Sequence, residues 1–389
     1  MDAAARDAGL SPAEFRRLNF IPPQALPYTT AFGETYDSGD FPGMLKRGLE
    51  AIDHAGFEAR RQAAAKAGRL RGLGFACYGE VCGSNGEETA RLEVKDDGAL
   101  ELWIGTQTNG QGHFTAYTQL LNDKLGIEPD QLTIHQGDSW DLPQGGGTGG
   151  SRSLLMGGQA IDGAADRVIE RARKIAGHLL EAAEADIEHV EGVFTVVGTD
   201  KQVTLAQIAK SAKEDVSLPD DLKGKIEGQH HLVAGKQTYP NGVHLCELEV
   251  DPDTGDVELL RYVVVDDFGV VVNPLLVGGQ VHGGAAQGIG QALLEHTVYD
   301  GDGQLLTGSF MDYCMPRADD IPAIELTLVE DTPCTTNPMG VKGAGEAGAI
   351  GACPAVINAV VDALSPLGIR HIDMPATPEK VWRAVQDAR

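Results

Sequence analysis

The sequence lacks any long apolar run. No stretch reaches the roughly 18 consecutive apolar residues that suggest a membrane-spanning helix. The N-terminal segment carries Asp2, Arg6, Asp7 and Glu14, where a signal peptide would need an apolar centre. These two absences predict a cytoplasmic chain without a membrane span.

Positive charge is also scarce. Lysine and arginine together number 31, against 57 aspartates and glutamates, which gives a formal net charge of −26. Nucleic acids and anionic membranes are bound by basic surfaces that displace counterions, so this balance argues against both kinds of partner. A phosphate ligand would have to be held by backbone N–H groups.

Cysteine patterns that bind metals or form disulfide frameworks are missing as well. The six cysteines, at positions 77, 82, 246, 314, 334 and 353, form no C-x-x-C pair and no Cys/His cluster with zinc spacing. This spacing argues against a disulfide framework, a zinc site and an iron–sulfur cluster. It favours buried thiols instead.

Glycine, by contrast, is abundant, with 50 residues, and the most informative glycine-rich segment is G-V-K-G-A-G-E-A-G at residues 340–348. Small residues let the backbone approach a ligand closely, and the N–H groups at a helix start attract anions. Glu346 therefore stands where a carboxylate can act as a general base on a bound ligand. Lys342 can keep that carboxylate charged if the loop brings the two side chains together.

The same segment also matches G-x-G-x-x-G, at Gly343, Gly345 and Gly348, which is the motif of dinucleotide-binding turns. That turn needs a strand that runs directly into the first glycine. Here the strand predicted at residues 324–329 is followed by a turn-forming run that contains two prolines. An NAD-dependent enzyme is therefore the less favoured alternative.

Periodicity along the chain predicts an α+β fold with mixed sheets, in which glycine-rich loops join strands to helices. Strands are predicted over 70–81, 89–95 and 100–106 as a meander, over 132–135 and 192–197, and over 243–250 and 257–266 as a hairpin. Helices are predicted over 44–66, over 113–125, from 153 to about 185, and after a third glycine-rich join at 278–293. Residues 2–8 look like the end of a helix without a start, as in a truncated polypeptide or one that continues a partner chain.

Four glycine-rich segments contain the polar and charged side chains that could bind a ligand at these loops. They are G-Q-G-H at 110–113, G-T-G-G-S-R-S at 147–153, G-G-Q-V-H-G-G-A-A-Q-G-I-G-Q-A-L at 278–293, and the segment at 340–348. One such segment alone would more often be a structural turn. All four together, in this order, resemble the molybdenum-binding large subunit of the xanthine dehydrogenase, aldehyde oxidoreductase and carbon monoxide dehydrogenase family. The resemblance covers nearly the whole chain.

This resemblance implies a molybdopterin cofactor with molybdenum, in the cytosine dinucleotide form usual in bacterial members. Glu346 would be the catalytic base in the oxidation of an electron-poor carbon by oxygen from water, and no protein residue need ligate the metal. The substrate would be an aldehyde, an N-heterocycle or carbon monoxide. The residues implied in cofactor binding are Gly110, Gln111, Gly112, His113, Thr148, Gly149, Gly150, Ser151, Arg152, Gln280, Gln287, Gly288, Lys342, Gly343, Ala344 and Gly345.

Large subunits of that family are roughly twice as long as this chain, so the resemblance implies a C-terminal portion. Residues 1–68 are expected to be the tail of a preceding molybdenum-binding domain, and residues 69–389 the second such domain. The expected partners are the missing N-terminal half, iron–sulfur and FAD subunits that receive the electrons, and a small-molecule substrate, in a multimeric complex. The main alternative is a non-catalytic split or degraded scaffold subunit of such a complex, and cofactor content distinguishes the two.

The single residues also have ordinary structural explanations. Arg152 alone would fit a surface ion pair, and His113 alone would fit a hydrogen-bonded histidine at a helix start. Glu346 would fit a first-turn glutamate that the helix dipole favours. These explanations stay open until the contacts of the three side chains are known.

Overall fold

A computed structural model describes residues 1–83, 86–142, 144–233 and 237–389. Its helices are α1 (Asp2–Asp7), α2 (Pro12–Asn19), α3 (Phe41–Ala51), α4 (Phe57–Lys66), α5 (His113–Leu125), α6 (Gln159–Leu179), α7 (Leu205–Glu214), α8 (Pro274–Leu293), α9 (Ala347–Leu364) and α10 (Pro378–Ala388). Its strands are β1 (Tyr28–Thr29), β2 (Thr35–Tyr36), β3 (Leu70–Gly79), β4 (Glu87–Val94), β5 (Leu100–Ile104), β6 (Leu132–Gln136), β7 (Ile187–Val190), β8 (Val193–Val196), β9 (Gln202–Thr204), β10 (Ile226–Val233), β11 (Asn241–Val250), β12 (Val257–Asp267) and β13 (Ile324–Val329). The prediction of an α+β fold with mixed sheets is confirmed.

The chain folds into two compact units. Unit 1 comprises Met1–Val81, Thr238–Thr335 and Gly340–Arg389, and unit 2 comprises Cys82–Gln237 and Thr336–Met339. The predicted boundary between residues 68 and 69 concerns the domains of a longer protein, and it stays a prediction.

Unit 2 is built on a four-stranded sheet in the order β10-β4-β5-β6. β4 is antiparallel to both of its neighbours, whereas β5 and β6 are parallel, so their carboxyl ends meet at one edge of the sheet. α6 packs on this sheet because its apolar residues recur every three or four positions, and Ala160, Ala164 and Val168 are fully buried. The antiparallel sheet β7-β8-β9 and the helix α7 complete the unit.

Unit 1 is built on a second four-stranded sheet, in the order β13-β12-β11-β3. Alternate residues of its strands face opposite layers, as a period of two requires: Cys246 and Val264 belong to the core with α8 and α9, and Leu245 and Val263 to the core with α3. α9 approaches β3 so closely that a Cβ atom at Gly72 would lie 2.0 Å from a backbone oxygen of α9. Glycine in β3 therefore allows the close packing of the helix that follows Glu346.

α9, together with the short turn Ser365–Leu367 that follows it, has the length and composition of a membrane span. Residues Ala347–Leu367 have a mean hydropathy of 1.6, but 61% of the apolar window is buried within the chain. Val356, Ala359 and Val360 are completely inaccessible to solvent. This helix forms part of the core of unit 1.

The predicted three-stranded meander is wrong. β3 pairs with β11 in unit 1, whereas β4 and β5 belong to the sheet of unit 2. The chain passes from one unit to the other between β3 and β4, and the local alternation of apolar residues does not mark this change of sheet.

Two helix predictions also need correction. The helix predicted over 44–66 is divided into α3 and α4, because Asp53 has a left-handed backbone with φ 54° and its carboxylate accepts the Gly56 N–H at 3.3 Å. The helix predicted to reach residue 185 ends at Leu179, and the Ala182 N–H then bonds the Gly177 carbonyl at 2.9 Å. The hairpin predicted over 243–266 is confirmed as β11 and β12.

The N-terminal helix end predicted at residues 2–8 is present as α1. It packs against α2, where Asp2 forms an ion pair with Arg16 at 2.6 Å. Ala5 is fully buried in this contact region.

Candidate functional site

The loop between β5 and α5 lies in unit 2 and contains the first of the four motifs. Gly110 and Gly112 have φ angles of 106° and 85°, a left-handed backbone that glycine adopts readily. Gly112 is the N-cap of α5, and no side chain caps the helix. The N–H groups at the start of α5 therefore carry the positive end of the helix dipole without a side-chain acceptor.

Hydrogen bonds in this loop fix the ring of His113, which is 4% exposed. The side-chain oxygen of Gln111 accepts the Asn109 N–H, and the side-chain nitrogen of Gln111 donates to the Gln107 carbonyl at 3.3 Å. This orientation places the Gln111 NH₂ group 3.0 Å from His113 Nε2, so Nε2 accepts a hydrogen bond from it. In the neutral ring the proton is then on Nδ1, and Nδ1–H donates to Gln136 Oε1 at 3.0 Å. Burial lowers the pKa of His113 below its ordinary value of 6.5, although the Gln136 bond opposes the shift, and the neutral ring is favoured.

The second motif loop, residues 144–153, also lies in unit 2. Gly147, Gly150 and Ser151 have left-handed φ angles of 67°, 58° and 53°. A Cβ atom at Gly147, Gly149 or Gly150 would meet no atom within 4 Å, so these glycines face open space. Thr148 Oγ1 joins this loop to the first one, because it donates to the Gln107 carbonyl at 2.6 Å and accepts the Gln107 N–H at 3.2 Å.

Arg152, at the end of this loop, forms a buried ion pair rather than a surface one. Its side chain is 7% exposed and its Nη1 lies 3.1 Å from Oε2 of the fully buried Glu88. The same guanidinium donates to the Gly147 carbonyl at 2.7 Å and to the Glu87 carbonyl at 3.1 Å. The ordinary explanation of Arg152 as a surface ion pair is therefore wrong, and its charge is balanced inside the protein.

The fourth motif lies in unit 1, and Lys342 anchors it. The Lys342 ammonium donates to Asp267 Oδ2 at 2.6 Å, and both side chains are inaccessible to solvent. Asp267 also accepts hydrogen bonds from Thr332 Oγ1 at 2.6 Å, Asn241 Nδ2 at 3.0 Å and the Gly269 N–H at 2.8 Å. The Lys342 ammonium also donates to the Ser38 carbonyl at 3.5 Å. The predicted support of the Glu346 carboxylate by Lys342 stays a prediction.

Glu346 ends this loop as the N-cap residue of α9. Its backbone carbonyl accepts the N–H groups of Ala349 and Ile350, each at 3.1 Å, and no side chain caps the helix. Gly345 and Glu346 are exposed, whereas Gly343 is buried. The strand before the loop, β13, ends at Val329, as the sequence predicted, so no strand runs into Gly343.

The third motif is not a glycine-rich loop before a helix, as predicted, but lies inside α8. This helix begins at Pro274, and the Asn273 side chain caps it by accepting the Leu276 N–H at 3.0 Å. The prediction failed because six glycines close together, between residues 278 and 290, resemble a turn, whereas here some of them serve helix packing. A Cβ atom at Gly288 would lie 2.6 Å from Ala352 Cβ on α9.

α8 also carries the two predicted glutamines. Gln280 and Gln287 are seven residues apart and therefore lie on one face of the helix. Gly283 lies between them, is exposed, and would place a Cβ atom in open space.

The structure thus brings the predicted site residues together in two groups. Gln111, His113, Thr148 and Arg152 are linked through hydrogen bonds in unit 2. In unit 1, α8 packs against α9, and the glycines of both helices form the contact. Among the residues that the structure describes, no group of three or more His, Cys, Asp or Glu side chains is placed to hold a metal ion.

The sequence analysis missed three residues that organise these loops: Glu88, Gln136 and Asp267. Gln136 could have been found, because it ends a strand parallel to β5, whose carboxyl end leads into the first loop. The signal for Glu88 is weaker. Glu88 is a charged residue at a buried position of β4, and buried and exposed residues alternate only in part of this strand. Asp267 ends β12 and gave no local signal.

Comparison with known proteins identifies the family. A family described as "Molybdopterin cofactor-binding domain" matches residues 47–322. The carbon monoxide dehydrogenase large chain of Hydrogenophaga pseudoflava is 35% identical over 402 residues, which cover 100% of this chain and 50% of the relative. The nicotine 6-hydroxylase large subunit of Paenarthrobacter nicotinovorans is 36% identical over 400 residues, which cover 99% of this chain and 49% of the relative.

Solved structures agree with these matches. The crystal structure of a Cu,Mo-CO dehydrogenase in its carbon monoxide reduced state superposes with a TM-score of 0.93 at 31% identity, over 100% of this chain and 51% of the other. The chain thus spans about half the length of the relatives it matches. The resemblance of its four glycine-rich motifs is confirmed, and the chain belongs to the molybdopterin cofactor-binding domain family.

Proposed function

We propose that this chain is the cofactor-binding and catalytic half of a molybdenum hydroxylase, which oxidises an electron-poor carbon with oxygen from water. The family supports this proposal, as do relatives named carbon monoxide dehydrogenase and nicotine 6-hydroxylase. The substrate class is an aldehyde, an N-heterocycle or carbon monoxide.

The donor groups of the motif loops fit an anionic cofactor. The helical segments that begin at these loops, namely α5, the π-helical turn Ser153–Gly158 before α6, and α9, have no side-chain cap. Five other helices are capped, by Ser11, Asp40, Thr204, Asn273 and Thr377, whereas α1 and α4 also lack a side-chain cap. Uncapped helix starts offer N–H groups to phosphate, and a chain with a net charge of −26 needs such neutral donors.

The residues that would hold the cofactor follow from this arrangement. Gly110 to His113 and Thr148 to Arg152 would supply backbone N–H groups to pterin and phosphates, in the cytosine dinucleotide form. Gln280, Gln287 and the neighbouring Gly288 would flank the pterin from α8. The run from Lys342 to Gly345 would let the backbone approach it, since Gly343, Ala344 and Gly345 are small.

When bound, the molybdenum cofactor supplies the redox chemistry and the water-derived oxygen. The contribution of this chain is the proton transfer, for which a carboxylate must be ionised and within reach of the proton. The observation that carries the proposal is the exposed Glu346 at the uncapped start of α9, directly after three small residues.

The partners follow from the same proposal. Electrons would leave through iron–sulfur clusters to FAD on other subunits, and the N-terminal half of the large subunit would complete the site. Residues 1–68 and 69–389 would then be the tail of one molybdenum-binding domain and the whole of a second. The assembly would be a cytoplasmic multimeric complex.

The test is Glu346→Gln in the assembled complex. Glutamine keeps the size and the hydrogen-bonding reach of the side chain but removes the base, so kcat is expected to fall by about 10²–10⁴-fold. Molybdenum content, pterin content and melting temperature are expected to stay at wild-type values. They are measured by metal analysis, pterin fluorescence and calorimetry.

The matched control is Glu379→Gln, which changes an exposed first-turn glutamate of α10. It is expected to leave kcat unchanged, and this separates the role of a base from a general effect of the helix dipole. A Glu346→Gln complex with full cofactor content and wild-type turnover would remove Glu346 from the mechanism. A wild-type complex without molybdenum or pterin would favour the scaffold alternative.

A further inference from the structure

Glu88 is a fully buried carboxylate that holds two motif loops at once. Its Oε1 accepts the N–H groups of Gly105 at 2.9 Å and Thr89 at 3.2 Å. Its Oε2 accepts the Gly146 N–H at 3.2 Å and Arg152 Nη1 at 3.1 Å. Gly105 leads into the first loop and Gly146 belongs to the second, so this one side chain connects them.

The loops touch each other directly above this carboxylate. A Cβ atom at Gly105 would lie 2.5 Å from Gly145 Cα, which shows that only glycines fit at this contact. Thr148 and Gln107 form two further hydrogen bonds between the loops. The position of each loop therefore depends on the other, and Glu88 is the residue that both share.

Arg152 completes this arrangement as the counter-ion of Glu88. A buried carboxylate without a counter-ion is strongly unfavourable, and Arg152 provides the charge. The guanidinium also donates to the Gly147 carbonyl and so fixes the glycine that faces open space. The pair is neutral overall, so it adds no net charge to the two loops.

We propose that Glu88 is a positioning residue for the cofactor site and that Arg152 acts through Glu88 and the Gly147 carbonyl, not as a direct phosphate ligand. The inference rests on the proposed function, because it concerns the loops that would bind the cofactor. It assigns a role to a residue outside the four motifs.

Glu88→Gln separates the two roles of Arg152, because they predict opposite results. If Arg152 binds phosphate directly, removal of the neighbouring negative charge should increase cofactor retention. If Glu88 positions the loops, retention should fall. Glutamine has nearly the same shape, but in either orientation its NH₂ group faces N–H donors, so at least one loop loses its acceptor.

The experiment measures molybdenum and pterin per complex, and amide hydrogen exchange in the metal-free chain over residues 105–113 and 144–153. Glu88→Gln is expected to lower cofactor content severalfold and to speed exchange in at least one of these segments by roughly tenfold or more, as for a lost hydrogen bond to a charged group. Glu93→Gln is the control on the same strand, since Glu93 pairs with Lys95 at 3.0 Å and Lys225 at 2.9 Å. It is expected to leave both readouts unchanged.

A second variant keeps the test decisive if Glu88→Gln does not fold. Thr148→Val removes the bonds to Gln107 without leaving a buried charge, and both readouts are expected to change in the same direction. Unchanged exchange in both loops, loosened loops with full cofactor content, or increased cofactor content would each overturn the proposal. If the wild-type complex holds no molybdenum or pterin, the proposed function fails, while the exchange data still decide whether Glu88 holds the loops.

Discussion

His113 is the residue whose ionisation the loop of unit 2 controls most directly. Its Nε2 accepts a hydrogen bond from Gln111, and a protonated ring would place two donors against each other there. Burial lowers the pKa of His113 below 6.5, so as the pH falls the unfolded chain takes up this proton before the folded chain does. The stability contributed by the neutral ring is therefore complete above about pH 6.5 and is lost as the pH falls towards the lower pKa of the folded state.

We expect the melting temperature of the wild-type chain to fall more between about pH 7.5 and about pH 5.5 than that of His113→Gln. Calorimetry at a series of pH values measures the difference. Burial also lowers the pKa of His189, but this residue is present in both proteins, so its effect cancels in the comparison. Parallel pH curves for the two proteins would show that His113 titrates normally in the folded chain.

Single residues also show where sequence reasoning stops. The motifs identified Arg152 and Lys342 as charged groups in glycine-rich loops, but not their partners. Glu88 lies 64 positions from Arg152, and Asp267 lies 75 positions from Lys342. No local pattern pairs residues at such distances, because the pairing depends on which strands become neighbours.

At the scale of helices and strands, predictions held where the signal was local. The sequence predicts a helix from the join at His113 to Leu125, and these are the bounds of α5, which Gly112 and Gly126 flank in the structure. The hairpin of β11 and β12 followed from alternation and its turn. The prediction of a three-stranded meander is wrong because the alternation of apolar residues along a strand does not show which strand it pairs with. The start of α8 is predicted too late because the glycines of this helix resemble a loop.

The packing of α8 on α9 leads to a prediction about these glycines. Gly288→Ala would place a Cβ atom 2.6 Å from Ala352 Cβ and 3.0 Å from the Ala349 carbonyl oxygen, so we expect destabilisation of about 1–3 kcal/mol from overpacking. Gly283→Ala is the matched change on the exposed face of the same helix, where no atom lies within 4 Å. It is expected to stabilise the chain by about 0.5–1 kcal/mol, because alanine loses less conformational entropy in a helix.

Denaturant unfolding of the two variants measures both effects. Equal changes in the free energy of unfolding would mean that helix propensity alone determines the stability of both variants. The contact between α8 and α9 would then accommodate the extra methyl group at residue 288 without cost. A Gly288→Ala chain as stable as the wild type would contradict the close packing of these two helices.

At the scale of the whole molecule, charge and length set the conditions for cofactor binding. The chain has a net charge of −26, and two cationic side chains of its motif loops are paired internally, Arg152 with Glu88 and Lys342 with Asp267. An anionic cofactor would therefore be held by neutral N–H and amide donors, against an unfavourable long-range field. The relatives that the chain matches are about twice its length, so a complete site in them can draw on donors outside the matched half.

We therefore expect the 389-residue chain produced alone to retain little molybdenum or pterin after purification. Production in the same host together with the proposed partners, the N-terminal half and the iron–sulfur and FAD subunits, is expected to raise both to stoichiometric amounts. Metal analysis and pterin fluorescence on the two preparations measure the difference, and calorimetry establishes that the chain produced alone is folded. A folded chain that holds one molybdenum and one pterin by itself would show that the described half-length chain suffices for binding, and would contradict the proposal that an N-terminal half completes the cofactor site.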